Sequence, residues 1–437
     1  MKRFSIVFSC LSALLVSLAG CHQGAERSKA MALSKPDACA LALAAQAGEE
    51  RAGKIDEQIG ALQQMARSSH RPGPLLEQLG QRFIAKARLS NDPGYYRLAE
   101  QCAQCLEFKD PGNVQALLLQ GHVLHQLHRF QEAESFARRA VSRRGSFLDY
   151  GLLGDALMEQ GKLPEAARAY QKMMDIKPFY QSYARAAHVR WLRGDLTGAT
   201  ALMAMAVAAA SPEDPESVAW AYSRLALFQL QAGLTTKALK SCDAALTFLD
   251  HYPGALLVAG RALLAQGKTA QAIESLRRAA AANPLPEYQW SLADALRAGG
   301  REDEARSVET QLREHAALTD PRTFALYLAT RGQEAEKAIQ LARRELENRK
   351  DIFTWDALAW SLAAAGRAGE ARQMIQCALS EGTMDARLFY HAGVIAYQSG
   401  HRSEARRWLG EAKKIEQMLL PSEQKKLNAF DSKGGIQ

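Results

Sequence analysis

Three groups of residues in this 437-residue chain have the types and spacings that chemistry needs. Gly48, four residues, then Gly53-Lys54 approaches a loop that cradles phosphate with backbone N–H groups. Ile55 stands where such a loop needs a Ser or Thr hydroxyl for its metal, so the match fails. Gly267-Lys268-Thr269 keeps the Lys-Thr pair but has Ala262 in place of the leading glycine. His122, His125 and His128 follow one another at three-residue spacing, which places them along one side of a helix. Three imidazoles can ligate zinc, but no carboxylate lies close in sequence and His128 falls where the helical stretch ends. They read as polar residues of a groove, with a metal site as the alternative. Cys102 and Cys105 have redox-pair spacing, yet such a pair works at a helix start, where the backbone lowers the thiol pKa. Here both fall inside the helical run from Tyr95 to Phe108, which favours packing. No paired carboxylates, Ser/His/Asp set or His-Glu-x-x-His stands out. The expectation is a protein that is not an enzyme and holds no cofactor or metal.

The elements that carry these residues are helical. Aromatic residues make up 7% of the chain, Leu and Ala dominate, and Gly and Pro recur between apolar stretches. Lys and Arg number 55 against 47 Asp and Glu, a formal charge of +8, and the charges are not gathered into a stripe. That pattern gives no electrostatic footprint for nucleic acid.

The first twenty residues are not part of the fold. Lys2 and Arg3 precede an uncharged run from Phe4 to Val16, too short to span a membrane stably, and Leu18-Ala19-Gly20-Cys21 follows. This order resembles the signal and lipobox of bacterial lipoproteins. The resemblance implies a signal peptide at 1–20, a diacylglycerol on Cys21, a tether at 21–36 and a membrane held through the N-terminal lipid. His22, where Asp would retain such a protein on the inner membrane, implies the periplasmic face of the outer membrane. Past the signal and Cys21, five cysteines remain, Cys39, Cys102, Cys105, Cys242 and Cys377, an odd number for a disulfide framework; export permits bonds but does not require them. Amphipathic stretches at Asp37–Ala47 and Ile55–Arg67 form an N-terminal helical segment, 37–74, closed by the break His70-Arg71-Pro72-Gly73-Pro74.

Beyond it the chain repeats. Gly154, Gly161, Ala166, Tyr170 and Pro178 set a frame that recurs as Gly260, Gly267, Ala272, Ala279 and Pro284, as Ala359, Gly366, Ala371 and Ala378, and as Gly393, Gly400, Ala405 and Ala412. Thirty-four residues separate Gly366 from Gly400, and the same number separate Gly233 from Gly267. Small residues let two antiparallel helices approach, a glycine such as Gly161 ends the first helix in the left-handed conformation, and Pro178 or Pro284 stops the second. This frame resembles the tetratricopeptide repeat, a helix–turn–helix unit. It implies an all-α, right-handed superhelical solenoid over 75–420, with a C-terminal tail at 421–437. Units fall near 75–112, 114–146, 147–179, 180–213, 219–252, 253–285, 286–318, 319–351, 352–385 and 386–419. Stacking of neighbours covers apolar faces that no single unit can cover alone. Tyr150–Leu157, Ser182–Arg185, Asp356–Trp360 and Phe389–Gly393 also resemble segments of a widespread bacterial repeat family without assigned biochemistry.

In repeats of this class the first helix of each unit lines the concave face. Its outward positions here are His122, His125, Asp155, Arg185, His188, Trp191, Trp220, Arg224, Arg261, Trp290, Asp294, Arg297, Phe353, Asp356, Trp360, Tyr390 and Tyr397. Trp, Tyr and Arg are the types that carry interface energy, so the expectation is a partner-binding groove for other proteins. Trp355, at the fourth position of its unit, reads as structural. The Lys/Asn pattern that clamps a chaperone's terminal carboxylate is not present. The expected role is a membrane-anchored scaffold or adaptor in the cell envelope. The alternatives are a metal or redox protein using the histidine row or the cysteine pair, and a peptidoglycan- or glycan-binding module, since Trp and Tyr also stack on sugars.

Overall fold

The computed structural model describes residues 35–44, 54–90 and 92–432. The lipobox and Cys21 lie outside them, as does the Gly48 to Gly53 stretch. Among the described residues every regular element is a helix, and none is long and apolar enough to cross a membrane.

Two helices come first, α1 (Lys35–Leu43) and α2 (Lys54–Ser68). Ten helix pairs follow. They are α3/α4 (Gly73–Ser90, Gly94–Lys109), α5/α6 (Val114–Gln126, Phe130–Arg143), α7/α8 (Phe147–Glu159, Leu163–Ile176), α9/α10 (Tyr180–Leu192, Leu196–Ala209) and α11/α12 (Pro215–Gln231, Thr235–Phe248). The series continues as α13/α14 (Pro253–Ala265, Thr269–Ala282), α15/α16 (Pro286–Ala298, Glu302–Thr319), α17/α18 (Pro321–Arg331, Ala335–Asn348), α19/α20 (Ile352–Ala364, Ala368–Ala378) and α21/α22 (Ala386–Gln398, Arg402–Lys414). A single 3₁₀ turn, Glu416–Met418, leads to α23 (Pro421–Ser432). The stretch read as a tail from sequence thus contains a helix.

Local chemistry sets the boundaries. Asn113, Asp195, Asp214, Asp320, Asp351 and Asp385 each start a first or second helix by accepting a backbone N–H from the first turn. Ser146 and Asp149 form a capping box at the start of α7. Between helices the chain turns through the left-handed region, at Gly161 with φ +72°. In the turn after α5 the same bend falls on His128, at φ +56°.

Within a pair, one helix closes on the other at a glycine. A Cβ on Gly154 would meet the Tyr170 ring at 2.2 Å, and one on Gly260 would meet Leu276 at 2.5 Å. Small residues of the second helices, Ala166, Ala272, Ala371 and Ala405, are fully buried. The main apolar cluster, from Leu118 to Leu427, joins α5–α11 to α15–α23, while the N-terminal helices, α11–α13 and α13–α16 each bury a cluster of their own.

The stack also bends far enough to touch itself. The backbone N–H of Lys350, before α19, donates to the carbonyl of Glu159 at the end of α7, at 3.0 Å. Thr383 Oγ1 donates to the Leu192 carbonyl at 2.5 Å, the Gln231 amide donates to the Met384 carbonyl, and Trp191 stacks on Phe353 with centroids 5.9 Å apart. At the N-terminal end Arg88 of α3 forms a two-pronged ion pair with Glu216 of α11, both contacts at 2.9 Å. The concave face is therefore narrowed by contacts between distant units.

Candidate functional site

The inner surface is built mainly by first helices. Two cavities adjoin there and share His188. The larger has a volume of about 460 Å³ and collects His125, Asp155, Arg185 and Trp220 from the sequence-derived set. The second, about 300 Å³, collects Trp191, Arg224, Arg261, Trp290, Phe353 and Asp356. Trp360, Tyr390 and Tyr397 lie together in a third recess, beside α23.

In the larger cavity Asp155 accepts from Arg185 at Nε (2.8 Å) and Nη2 (2.5 Å), and from the Tyr170 hydroxyl (2.9 Å). Burial pushes the Asp155 carboxyl up, but the guanidinium outweighs it and holds the pKa at about 2. Burial raises the Tyr180 phenol to about 12. It also lowers the imidazoles of His122, to about 4, and His188, to about 3, so both are neutral near pH 7. His125 has a buried Nε2 with no hydrogen-bond partner. The Trp220 ring stands edge-on to Tyr180, 6.3 Å away. The wall thus combines fixed ion pairs, neutral donors and acceptors, and aromatic faces.

Several expected groove residues are inside the molecule but covered. Trp290, Asp294, Asp356, Trp360 and Tyr390 are each less than 8% exposed. Asp294 accepts from the backbone N–H of Ser422 at 2.8 Å, and Lys426 Nζ donates to the Thr330 carbonyl at 2.9 Å, so α23 lies against this part of the surface. Trp360 donates to Thr330 at 2.9 Å and stacks on His391 with centroids 4.0 Å apart. His391 in turn holds Asp356 through Nδ1 at 2.8 Å. Arg297 points elsewhere. It is bound in a fork by Glu309 of its own second helix, both contacts at 2.6 Å. Trp355 is half-buried against the core.

The alternatives fare differently from the groove. His128 sits in the turn, stacks on Phe130 and faces Glu345 at 3.9 Å, whereas His122 and His125 stay on α5. Among the described residues no three His, Cys, Asp or Glu side chains converge as a metal site. Cys105 is bonded to Cys39, which ties α1 to α4, and Cys102 is a buried free thiol whose pKa burial raises. Cys102 and Cys105 therefore do not form a redox pair with each other. Their helix brings Cys105 to α1, a pairing that spacing along the chain does not reveal.

The sequence frame also missed residues. The second residue of a first helix recurs in the cavity walls, as Gln181, Glu216, Glu287, Arg322, Phe353 and Arg387. Only Phe353 was singled out, because the frame was read from the helix middles. The signal is a polar, charged or aromatic residue just after the start of α9, α11, α15, α17, α19 and α21.

Residues 257–317, which span α13 to α16, match the tetratricopeptide repeat family. Among solved structures the chain is similar to Pseudomonas aeruginosa PilF, with 16% identity and a TM-score of 0.40 over 47% of this chain and 92% of that one. TTC0263, a tetratricopeptide-repeat protein of Thermus thermophilus, aligns at 21% identity and a TM-score of 0.36 over 42% and 99%. YrrB, described as having an unusual peptide-binding site, aligns at 14% and 0.32 over 45% and 97%. No curated protein matches the sequence. The matched stretch belongs to the tetratricopeptide repeat family, and it lies inside a run of helix pairs of the same build.

Proposed function

We propose that this protein is a lipid-anchored scaffold of the bacterial cell envelope, held at Cys21, that binds an extended or helical segment of another protein on its inner surface. The observation that carries the reading is the larger cavity. Arg88, Asp155, Arg185 and Trp220 line it from four different first helices, and Tyr252 joins them from the turn before α13. Rigid helices that present aromatic and charged groups around one space suit a partner that makes several weak contacts at once. The Cys39–Cys105 bond accords with an oxidising compartment.

Two experiments test this reading. Cys21→Ser is expected to move the protein from the membrane to the soluble fraction, and a variant that fractionates with membranes as fully as wild type would rule out the anchor. Partners that co-purify with the wild-type protein are expected to be lost from Trp220→Ala/Tyr252→Ala. If that variant keeps its helicity and every partner, the inner surface is not the binding face.

A further inference from the structure

We infer that the smaller inner cavity is a binding site for a phosphate-type oxyanion, free or as a phosphate monoester. Four guanidiniums reach it from four first helices, Arg224 from α11, Arg261 from α13, Arg322 from α17 and Arg387 from α21. The carboxylates around them do not match them one for one. Asp351 takes Arg322 at 2.9 Å, and Glu423 takes Arg387 at 3.0 Å. Glu287 accepts from Arg261 Nη2 at 2.9 Å while standing within the field of Arg387, Arg322 and Arg224 as well. Asp356 is engaged by His391, and Asp385 caps α21, its carboxyl pushed up by burial.

Arg224 is left over. Among the described residues it makes no ion pair and no hydrogen bond, and its guanidinium rests only near the rings of Trp191 and Phe228, at 6.0 and 5.7 Å. The Nε of Arg261 is buried and has no acceptor. A desolvated cation and an unused N–H on a polar cavity wall are costly to leave unmet. Glu287 already supplies a planar carboxylate and leaves both unserved. A tetrahedral dianion offers oxygens in several directions at once, which suits forked guanidiniums converging from different helices. The cavity, about 300 Å³, has room for such a group and a small organic remainder. This site does not depend on whether a protein segment also occupies the neighbouring cavity.

The test is thermal melting and calorimetric titration of the full chain with inorganic phosphate and, separately, glycerol 3-phosphate, against acetate at equal ionic strength. Wild type is expected to gain at least about 2 °C at about 20 mM of one ligand or both. The better of the two ligands tells a free ion from a monoester. Arg224→Met is expected to lose that gain while melting no lower than wild type without ligand, because it removes an unpaired charge; Arg224→Gln serves as a second variant should Met fail to fold. No gain in wild type with either ligand overturns the site, and so does an equal gain in a folded Arg224 variant.

Discussion

The backbone N–H of Lys350 donates to the carbonyl oxygen of Glu159 at 3.0 Å, although the two residues belong to units far apart in the repeat series. Arg349 adds an ion pair to the Glu159 carboxylate. The next turn residue, Gly161, has φ +72°, and a Cβ there would lie 2.3 Å from the Lys350 carbonyl oxygen. Gly267 occupies the same turn position with φ +73° and open space around it. The pair therefore separates two costs. Gly267→Ala is expected to lose about 1 kcal/mol for the left-handed backbone, and Gly161→Ala about 3 kcal/mol because the Lys350 strap must also move. Equal losses in denaturant melts would mean that the superhelix is not closed at this point in solution.

Much of this architecture was legible in the sequence, and the closure was not. Gly154, Gly161 and Ala166 mark a unit because a helix pair is local: Gly154 faces the Tyr170 ring sixteen residues on, and Gly161 takes the left-handed turn between the two helices. Self-contact between α7 and the start of α19 depends on the summed rotation of many units, which no short pattern encodes. The same limit explains the candidate site. Asp294, Trp360 and Tyr390 do belong to the inner surface, but α23 returns across this part of it, and Trp290 is covered by Arg387 and Tyr327. Residues 421–432 read as a polar tail because the buried side chains among them, Glu423 and Leu427, are few and one of them is charged.

Glu423 is fully buried, and it binds Arg387 at Nε (3.0 Å) and the backbone N–H of Leu420 at 2.9 Å. Glu423→Ala leaves the mostly buried Arg387 without its carboxylate and is expected to cost about 2–4 kcal/mol. Burial pushes the Glu423 carboxyl up, but Arg387 outweighs it and holds it below the usual range. A depressed acid stabilises the fold above its unfolded pKa and loses that contribution as pH falls through the folded one. The variant's deficit should therefore be full at pH 7 and shrink below about pH 4.5. A deficit that does not change with pH would point to lost packing rather than a lost ion pair.

His122 and His188 work in the opposite chemical sense. Burial lowers both, from an ordinary value near 6.5 to about 4 and about 3. The unfolded chain then binds protons that the folded chain refuses, so stability falls as pH drops below the unfolded pKa and continues to fall toward the folded one. Between pH 7.5 and pH 5 each imidazole is expected to remove about 2 kcal/mol. His188→Gln should flatten the slope of the unfolding midpoint in that window. An unchanged slope would mean that the His188 ring is solvated.

The packing frame has its own test. Ala166 and Ala371 are fully buried on second helices, and Ala281 is exposed near the end of α14. Beside Ala166, Gly154 already lets the Tyr170 ring within what would be 2.2 Å of a Cβ, so the helix pair has no slack to take a larger side chain. Ala166→Leu and Ala371→Leu are expected to lose about 1–3 kcal/mol through overpacking, whereas Ala281→Leu should stay within about 0.5 kcal/mol of wild type. Denaturant melts of the three variants, run with helicity measured beforehand, separate them. A loss at Ala281 as large as at Ala166 would place the buried stripe of the second helices on a different face.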